Sequence, residues 1–383
     1  MKKYNVIEKN RSWAESVFDK INGKLSEVTI RSRDIIADKY DKSGKHIDCR
    51  GIFWWTNGFW GGLNHLLYNA TGNEDYLKTA VASENRLDRA FVEEYDELHH
   101  DVGFMWHILS GANYRLHEDA LSRVRNLHAA AILASRFVTG GNFIVAWNGK
   151  EYENCTIIDT MMNLPLLFWA SRETGDDRFK RIAMHHADTV IKTHLRPDGS
   201  IVHIVEHDRE TGDVVRTYGG QGYAEGSAWS RGQAWAVYGF TLAYIHTGEA
   251  RYLDAAKAAA DYFLSGCTSD WLVPVDFKSP AEPFIIDNSA AVCAACGLIE
   301  LGKLMEEKEG EGYIIPAINL LSAIDRKYAN YDLGTDYLVS HGTVRYPVEG
   351  DFEKAEVHVP IVYADYFYVE AILKLLGSEF NPW

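Results

Sequence analysis

Asp159 lies in Thr156-Ile157-Ile158-Asp159-Thr160-Met161-Met162-Asn163-Leu164-Pro165-Leu166-Leu167, a lone carboxylate behind two isoleucines, at the head of an apolar run that reads as a helix. An Asp in such a place is ordinarily a cap that accepts a main-chain N–H. Here the arrangement recurs. Ile285-Ile286-Asp287-Asn288 repeats it, and His99-His100-Asp101-Val102-Gly103 and Tyr363-Ala364-Asp365-Tyr366 are related, each followed by an apolar run. If these helices start at one end of a barrel, their polar heads converge on one pocket. Two carboxylates held close together push one pKa up and leave a protonated acid near neutral pH, and Asp101 with Asp159 is the pair expected to do this.

Other residues carry chemistry of their own. Two histidines next to Asp101 invite a metal reading, but consecutive helical side chains point in different directions and no further ligand spacing follows, so no metal is expected. Arg231, in Ser227-Ala228-Trp229-Ser230-Arg231-Gly232-Gln233-Ala234-Trp235, is a cation at a helix start, opposite to what the helix dipole favours. An anionic ligand group would explain it, because Arg holds a carboxylate through two parallel hydrogen bonds; a salt bridge to a structural Asp is the other explanation. His203, in Ile201-Val202-His203-Ile204-Val205, reads equally as a core histidine or a site residue.

The elements that must position these groups read as helical hairpins. Thr71-Gly72-Asn73-Glu74, Thr174-Gly175-Asp176-Asp177 and Thr247-Gly248-Glu249-Ala250 share one form: a Gly suited to a left-handed helix end, then residues suited to the next helix start. Residues Ser12 to Lys39 read as an amphipathic helix, and inner helices are expected near Asn57, Asp101, Asp159, Ser230, Asp287 and Asp365. That period suggests an all-α chain, an (α/α)6 barrel of six hairpins forming one domain over residues 1–383, with short β-hairpins possible around Asn142-Trp147 and Ile201-Val215.

Composition narrows the functions. A hydrophobic content of 46% supports a large core, and 11 Trp with 21 Tyr exceed what a core requires; surplus aromatics often line sugar sites. The formal charge of −15 disfavours nucleic acid or an anionic membrane as partner, though a local Arg can still hold a small acidic substrate. The first ten residues lack a signal-peptide core and no uncharged run is long enough to span a bilayer, which points to a cytoplasmic protein. Five cysteines, an odd number in mostly apolar contexts, read as reduced thiols; Cys293 and Cys296 form a C-x-x-C that reads as packing.

Four segments, taken in order, carry a resemblance: Trp55-Thr56-Asn57-Gly58-Phe59-Trp60, His99-His100-Asp101-Val102-Gly103-Phe104, Ile157 through Leu167, and Trp229 through Phe240. Together they resemble glycoside hydrolase family 88, the unsaturated glucuronyl hydrolases, over about Phe53 to Lys374. The resemblance implies a single (α/α)6 barrel acting without a cofactor on the Δ4,5-unsaturated uronic acid at the non-reducing end of lyase-generated, glycosaminoglycan-type oligosaccharides. It implies that Asp159 is the general acid and base and Asp101 the second essential carboxylate. It further implies that Trp55, Trp147 and Trp235 stack around the sugars, and that His203, Gln221 and Arg231 bind hydroxyls or the carboxylate. In Ser340-His341-Gly342-Thr343-Val344-Arg345, the hydroxyls of Ser340 and Thr343 and the cation of Arg345 stand where some family members hold a sulfate on the neighbouring amino sugar.

The expected chemistry is hydration. A protonated Asp159, with its pKa raised by Asp101, delivers a proton to C4, water adds at C5, and the hemiketal opens and expels the aglycone. Attack by the substrate's own C2 hydroxyl at C1 is an alternative route. Related activities remain alternatives: unsaturated rhamnogalacturonyl hydrolysis of pectin fragments, or a sugar-isomerising (α/α)6 protein, which would be expected to use paired histidines where this chain has aspartates.

Overall fold

The computed structural model describes residues 4–383. Its helices are α1 (Asn5–Arg31), α2 (Asn57–Thr71), α3 (Glu74–Leu87), the short α4 (Ala90–Glu93), α5 (Ser110–His117), α6 (Ala120–Ser135), α7 (Leu164–Thr174), α8 (Asp177–Thr193), α9 (Ser230–Thr247), α10 (Ala250–Ser265), α11 (Asn288–Lys303), α12 (Glu307–Lys327) and α13 (Val362–Leu375). Helices α2, α5, α7, α9, α11 and α13 form the inner ring of an (α/α)6 barrel, and α3, α6, α8, α10, α12 and α1 the outer ring. The ring closes where α13 packs against both α11 and α2, and α1, the first helix in sequence, backs α13.

Burial follows this division. Every residue of α13 is buried, as is α9 from Ser230 to Ala243, because a helix that is apolar all round must be enclosed. The outer α8 buries only Ala183, His186, Ala187, Thr189 and Val190 and turns its charges outward. Gly72, Gly175 and Gly248 end α2, α7 and α9 at φ of 69°, 72° and 74°. Nothing lies within 4 Å of a Cβ built on any of them, so it is the left-handed backbone that asks for glycine there. Asn73 and Asp176 then cap α3 and α8 through side-chain oxygens.

The N-terminal helix differs from expectation. It spans Asn5–Arg31 and not Ser12–Lys39; Ala37–Tyr40 forms strand β1, paired antiparallel with β2 (His46–Asp48). Cross-strand pairing, with Ala37 and Asp38 buried, prevails there over local helical spacing. A second hairpin joins β3 (Phe137–Val138) to β4 (Phe143–Ile144), and β5 (Cys155–Ile157), β6 (Ile204–His207) and β7 (Val214–Tyr218) make a three-stranded antiparallel sheet in that order. Strand β5 was not expected. It is fastened from behind by Thr156, whose Oγ1 lies 2.7 Å from His194 Nε2 and 2.8 Å from His207 Nε2, all three buried.

Cys293 and Cys296 lie buried in α11, where Cys296 Sγ donates to the Phe367 carbonyl at 3.2 Å. No helix among the described residues is long and apolar enough to cross a membrane.

Candidate active site

Pairing of β5 with β6 sets Ile157 opposite Ile204 and lets the Ile158 amide donate to the His203 carbonyl at 3.1 Å. Asp159 and His203 are thereby neighbours. Asp159 rides on a 3-10 turn, Ile158–Met162, one turn ahead of α7, so it does not cap that helix; Pro165 in the first turn provides the start instead. His203 Nε2 stands 3.6 Å from Asp159 Oδ1, and neither atom has another partner. The Gln221 amide donates to His203 Nδ1 at 3.0 Å, and the Gly219 carbonyl lies 3.2 Å from the same nitrogen, so main chain holds the far side of the ring while Nε2 faces Asp159. Gly220, at φ 59°, makes this possible: a Cβ there would come within 2.3 Å of His203 Nδ1.

Asp101 approaches from the chain ahead of α5, where Gly103–His107 forms one wide helical turn. A Cβ on Gly103 would meet Asn163 Oδ1 at 2.5 Å, so glycine is what lets this turn touch the Asp159 segment. Asn163 joins the two. Its Oδ1 accepts the Phe104 amide at 2.8 Å, while its Nδ2 donates to Asp101 Oδ1 at 3.2 Å and to the Asp159 carbonyl at 3.3 Å. Burial and the nearby charge of Asp159 hold the Asp101 carboxyl well above the usual carboxylate range.

His100, buried, sets Nε2 3.4 Å from Asp101 Oδ2 and Nδ1 2.9 Å from Thr160 Oγ1; burial holds it well below its ordinary pKa and hence neutral. Burial likewise lowers His99 to about 4. His99, His100 and Asp101 are the one group among the described residues with metal-ligand spacing, their ligand atoms lying within 4.8 Å of one another. His99 Nδ1 accepts the Asp101 amide at 3.4 Å and His100 Nδ1 bonds Thr160, which leaves the Nε2 atoms as the ring nitrogens without a bond to the protein there.

The aromatic residues divide. Trp147, half-buried, lies edge-on to His100 at 6.1 Å, and Trp55, half-buried, packs on Phe104 at 5.6 Å and Tyr363 at 5.1 Å. Trp235 is fully buried between Phe104 and Phe367, at 5.3 and 5.6 Å. Trp235, expected to stack on sugar, thus lies directly behind Phe104 in the enclosed part of α9.

Arg231 needs no ligand to explain it. Its Nη1 donates to Asp287 Oδ2 at 2.8 Å and to the Thr343 carbonyl at 2.7 Å, and its Nη2 to the Val344 carbonyl at 2.7 Å, with arginine and aspartate both buried. The structural salt bridge is the arrangement observed. Gln221 Nε2 donates to the same Val344 carbonyl at 2.7 Å. Nor do the carboxylates of Asp287 and Asp365 reach a common pocket. Asp287 accepts from Ser289 and Thr343 besides Arg231, and Asp365 accepts from Tyr40 and the amides of Leu338 and Val339.

The loop expected to hold a sulfate is also turned inward. Thr343 Oγ1 donates to the Ile286 carbonyl at 2.6 Å and Ser340 Oγ to the Tyr328 carbonyl at 2.9 Å. A hydroxyl has one proton, so neither can donate to an anion. Of the three, only Arg345 is exposed.

Asn163, Trp229 and Tyr363 were not singled out in the sequence. The Trp229 ring lies 4.3 Å from His203 and 4.4 Å from Arg231 Cζ, and Tyr363 lies 5.4 Å from Arg231 Cζ. Asn163 had a signal: it stands four residues after Asp159, one helical turn along the same segment.

The family model for Glycosyl Hydrolase Family 88 matches residues 31–267. The chain belongs to this family. It is a glycoside hydrolase. Family 88 relatives match nearly end to end: the chain is 34% identical to the unsaturated glucuronyl hydrolase of Bacillus sp. (strain GL1), covering 97% of this chain and 98% of that one. It is 33% identical to the unsaturated chondroitin disaccharide hydrolase of Streptococcus pyogenes serotype M1, over 86% and 82% of the two chains. The crystal structure of the Streptococcus agalactiae unsaturated glucuronyl hydrolase superposes with a TM-score of 0.88 at 27% identity, covering 97% of this chain and 93% of that one.

Proposed function

We propose that this chain releases the Δ4,5-unsaturated uronic acid from the non-reducing end of glycosaminoglycan-type disaccharides by hydrating the C4=C5 bond. The arrangement that carries the reading is the buried carboxyl of Asp101 and the partly buried one of Asp159, their segments joined by Asn163, whose amide donates to the Asp101 carboxylate and to the Asp159 main-chain carbonyl, with one oxygen of Asp159 left unpartnered beside His203. Residues 1–383 act as one catalytic domain.

The substrate is a vinyl ether. Protonation at C4 makes a cation at C5 that the ring oxygen stabilises; water then adds at C5, and the hemiketal opens and expels the aglycone from C1. Asp159 handles the proton in both half-steps, giving it to C4 and accepting one from the incoming water. Asp159 suits the role because its Oδ1 is unpartnered, whereas Asp101 is engaged by Asn163 and faced by His100.

In the free protein burial and the charge of Asp159 favour the protonated form of Asp101. Sugar hydroxyls donating to Asp101 favour its charged form, so that the proton passes to Asp159 when substrate binds. His203 stands beside the Asp159 carboxylate at 3.6 Å, and Trp55 and Trp147 flank the ring. No step is a redox step and the route calls on no cofactor. A cytoplasmic place of action is supported by five unpaired cysteines.

The test is incubation with an unsaturated disaccharide made by a polysaccharide lyase. Ultraviolet absorbance of the conjugated double bond should disappear as free aglycone sugar accumulates. Persistence of the absorbance while the sugars separate would indicate ordinary hydrolysis at C1 instead.

A further inference from the structure

The chain after α13 turns back into the inner ring. The Ser378 amide donates to the Leu373 carbonyl at 3.0 Å, and Arg115 of α5 then holds the segment. Its Nη1 donates to the Asn381 carbonyl at 3.2 Å and its Nη2 to the Pro382 carbonyl at 2.5 Å, while its guanidinium lies 5.7 Å from the Phe380 ring. Trp383 is thereby carried into the ring and buried. Its indole lies parallel to Phe367 of α13 at 5.9 Å, and edge-on to Tyr366 of α13, Tyr238 of α9 and Phe104 at 6.2, 6.0 and 5.9 Å.

A buried carboxyl fixes the indole in place. Trp383 Nε1 donates to Glu370 Oε2 at 3.0 Å and to Oε1 at 3.2 Å, the Tyr238 hydroxyl donates to Oε1, and Lys374 Nζ stands 3.3 Å from the same oxygen. Burial raises the Glu370 pKa, and Lys374, Tyr238 and Trp383 oppose the rise. A carboxyl this deep among apolar helices requires such donors, and tryptophan brings one together with a ring large enough to fill the space between the helices. The hydrogen bonds of Trp383 thus go to Glu370 and to neither catalytic carboxyl.

Phe104 connects this filler to the catalytic pair. Its ring meets Trp383, Trp235 and Trp55, at 5.9, 5.3 and 5.6 Å, and its amide donates to Asn163 Oδ1 at 2.8 Å. Asn163 Nδ2 in turn donates to Asp101 Oδ1 at 3.2 Å. The turn that carries Phe104, Gly103–His107, is wider than an α-helix, so the packing of its side chains helps to fix its path. In a close-packed interior, space opened beside one ring lets that ring shift, and a displacement of about 1 Å at a positioned group can cost about 10²-fold in rate. We propose that Trp383 is a positioning residue, which fills the barrel interior against Phe104 and, through Phe104 and Asn163, fixes Asp101 relative to Asp159. The assignment rests on the activity proposed above.

The experiment follows the ultraviolet absorbance of an unsulfated unsaturated disaccharide, at a temperature where each variant is folded by circular dichroism. Turnover by wild type establishes the activity independently of Trp383; no turnover by wild type overturns the activity and this role with it. Trp383→Ala should lower kcat at least about fivefold, with KM within about twofold of wild type. Trp383→Phe keeps a ring against Phe104 and loses the N–H to Glu370, so it should hold kcat within about twofold while melting at a lower temperature. If Trp383→Ala does not fold, Trp383→Leu takes its place, with a fall in kcat of at least about threefold expected. Leu320→Ala, in the outer α12, is the variant destabilised elsewhere and should keep the wild-type kcat. In the Asn163→Ala background, where the link to Asp101 is already broken, the substitution at Trp383 should change kcat by less than about twofold. A smaller loss at Trp383, a loss carried by KM, an equal loss in Trp383→Phe or Leu320→Ala, or an undiminished loss in the Asn163→Ala background would each overturn the proposal.

Discussion

His203 Nε2 and Asp159 Oδ1 face each other at 3.6 Å, each buried and each without another partner. The ring is held in this orientation from its far side, where Nδ1 meets the Gln221 amide and the Gly219 carbonyl. A carboxyl oxygen left open in this way is poised to give and take a proton. Asp159→Asn keeps the shape and removes the proton transfer, so kcat should fall by about 10²–10⁴-fold or more, with the melting temperature little changed. Turnover within tenfold of wild type would show that another group handles the proton.

Asn163 is the joint between the two carboxylate segments, and its loss should be visible twice. Asn163→Ala leaves the buried Phe104 amide unpaired, at a cost of about 1–3 kcal/mol, measurable by denaturant unfolding. It also removes the donor that favours the charged form of Asp101. The raised pKa of Asp101 should then rise further, and because activity requires the proton of the pair, the alkaline limb of the pH–rate profile should move to higher pH. A limb that moves to lower pH would mean that Asn163 does not act through Asp101.

Much of this architecture was legible in the sequence because local chemistry and tertiary packing agree there. Gly72, Gly175 and Gly248 followed by capping residues marked the hairpins, and wholly apolar runs marked the inner ring. Hidden from sequence was where a polar group spends its hydrogen bonds. Arg231, Thr343 and Asp287 look like site residues by type and spacing, yet they bind one another and adjacent main chain. The raised pKa of Asp101 was hidden for a similar reason, since it depends on depth of burial, and that is set by elements distant in sequence.

Arg231 and Asp287 form a buried ion pair, so its disruption should act on stability. Removing one partner leaves a buried charge uncompensated, which typically costs about 3–5 kcal/mol. Arg231→Ala should therefore lower the unfolding free energy by about that amount, because it also strands the Thr343 carbonyl and leaves that of Val344 with Gln221 alone. A variant with near-native stability and a raised KM for unsaturated disaccharide would restore the role in ligand binding expected from sequence.

Asp365 links the β1 hairpin and residues 338–339 to α13, and burial raises its pKa to about 6 despite donors from Tyr40 and two amides. A carboxyl whose folded value lies above its unfolded value of about 4 contributes stability below pH 4 that is lost as the pH rises through 6. Other carboxylates are held below their usual range, Asp336 and Asp48 among them, and they act in the opposite sense. Asp365→Asn should thus make the rise of melting temperature between pH 4 and 6 steeper than in wild type. An unchanged slope would show that Asp365 titrates normally.

The loop from Ser340 to Arg345 allows a decision between holding the fold and holding a sulfate. Thr343 Oγ1 donates to the Ile286 carbonyl and accepts the His358 amide at 3.3 Å, which ties the segment before α11 to the chain leading into α13. Thr343→Val keeps the shape but strands a buried carbonyl and weakens the hold on His358, so it should cost about 1–3 kcal/mol of stability. Arg345 is exposed and makes no side-chain hydrogen bond or ion pair with the described residues, so Arg345→Ala should leave stability within about 0.5 kcal/mol of wild type. If the loop held a sulfate, Arg345→Ala would selectively impair the sulfated disaccharide. With both hydroxyl protons turned inward, the ratio of kcat/KM for sulfated over unsulfated substrate should instead stay within twofold in this variant. A selective loss on the sulfated sugar would mean that the guanidinium alone suffices to recognise the anion, and that the orientation of the two hydroxyls does not decide it.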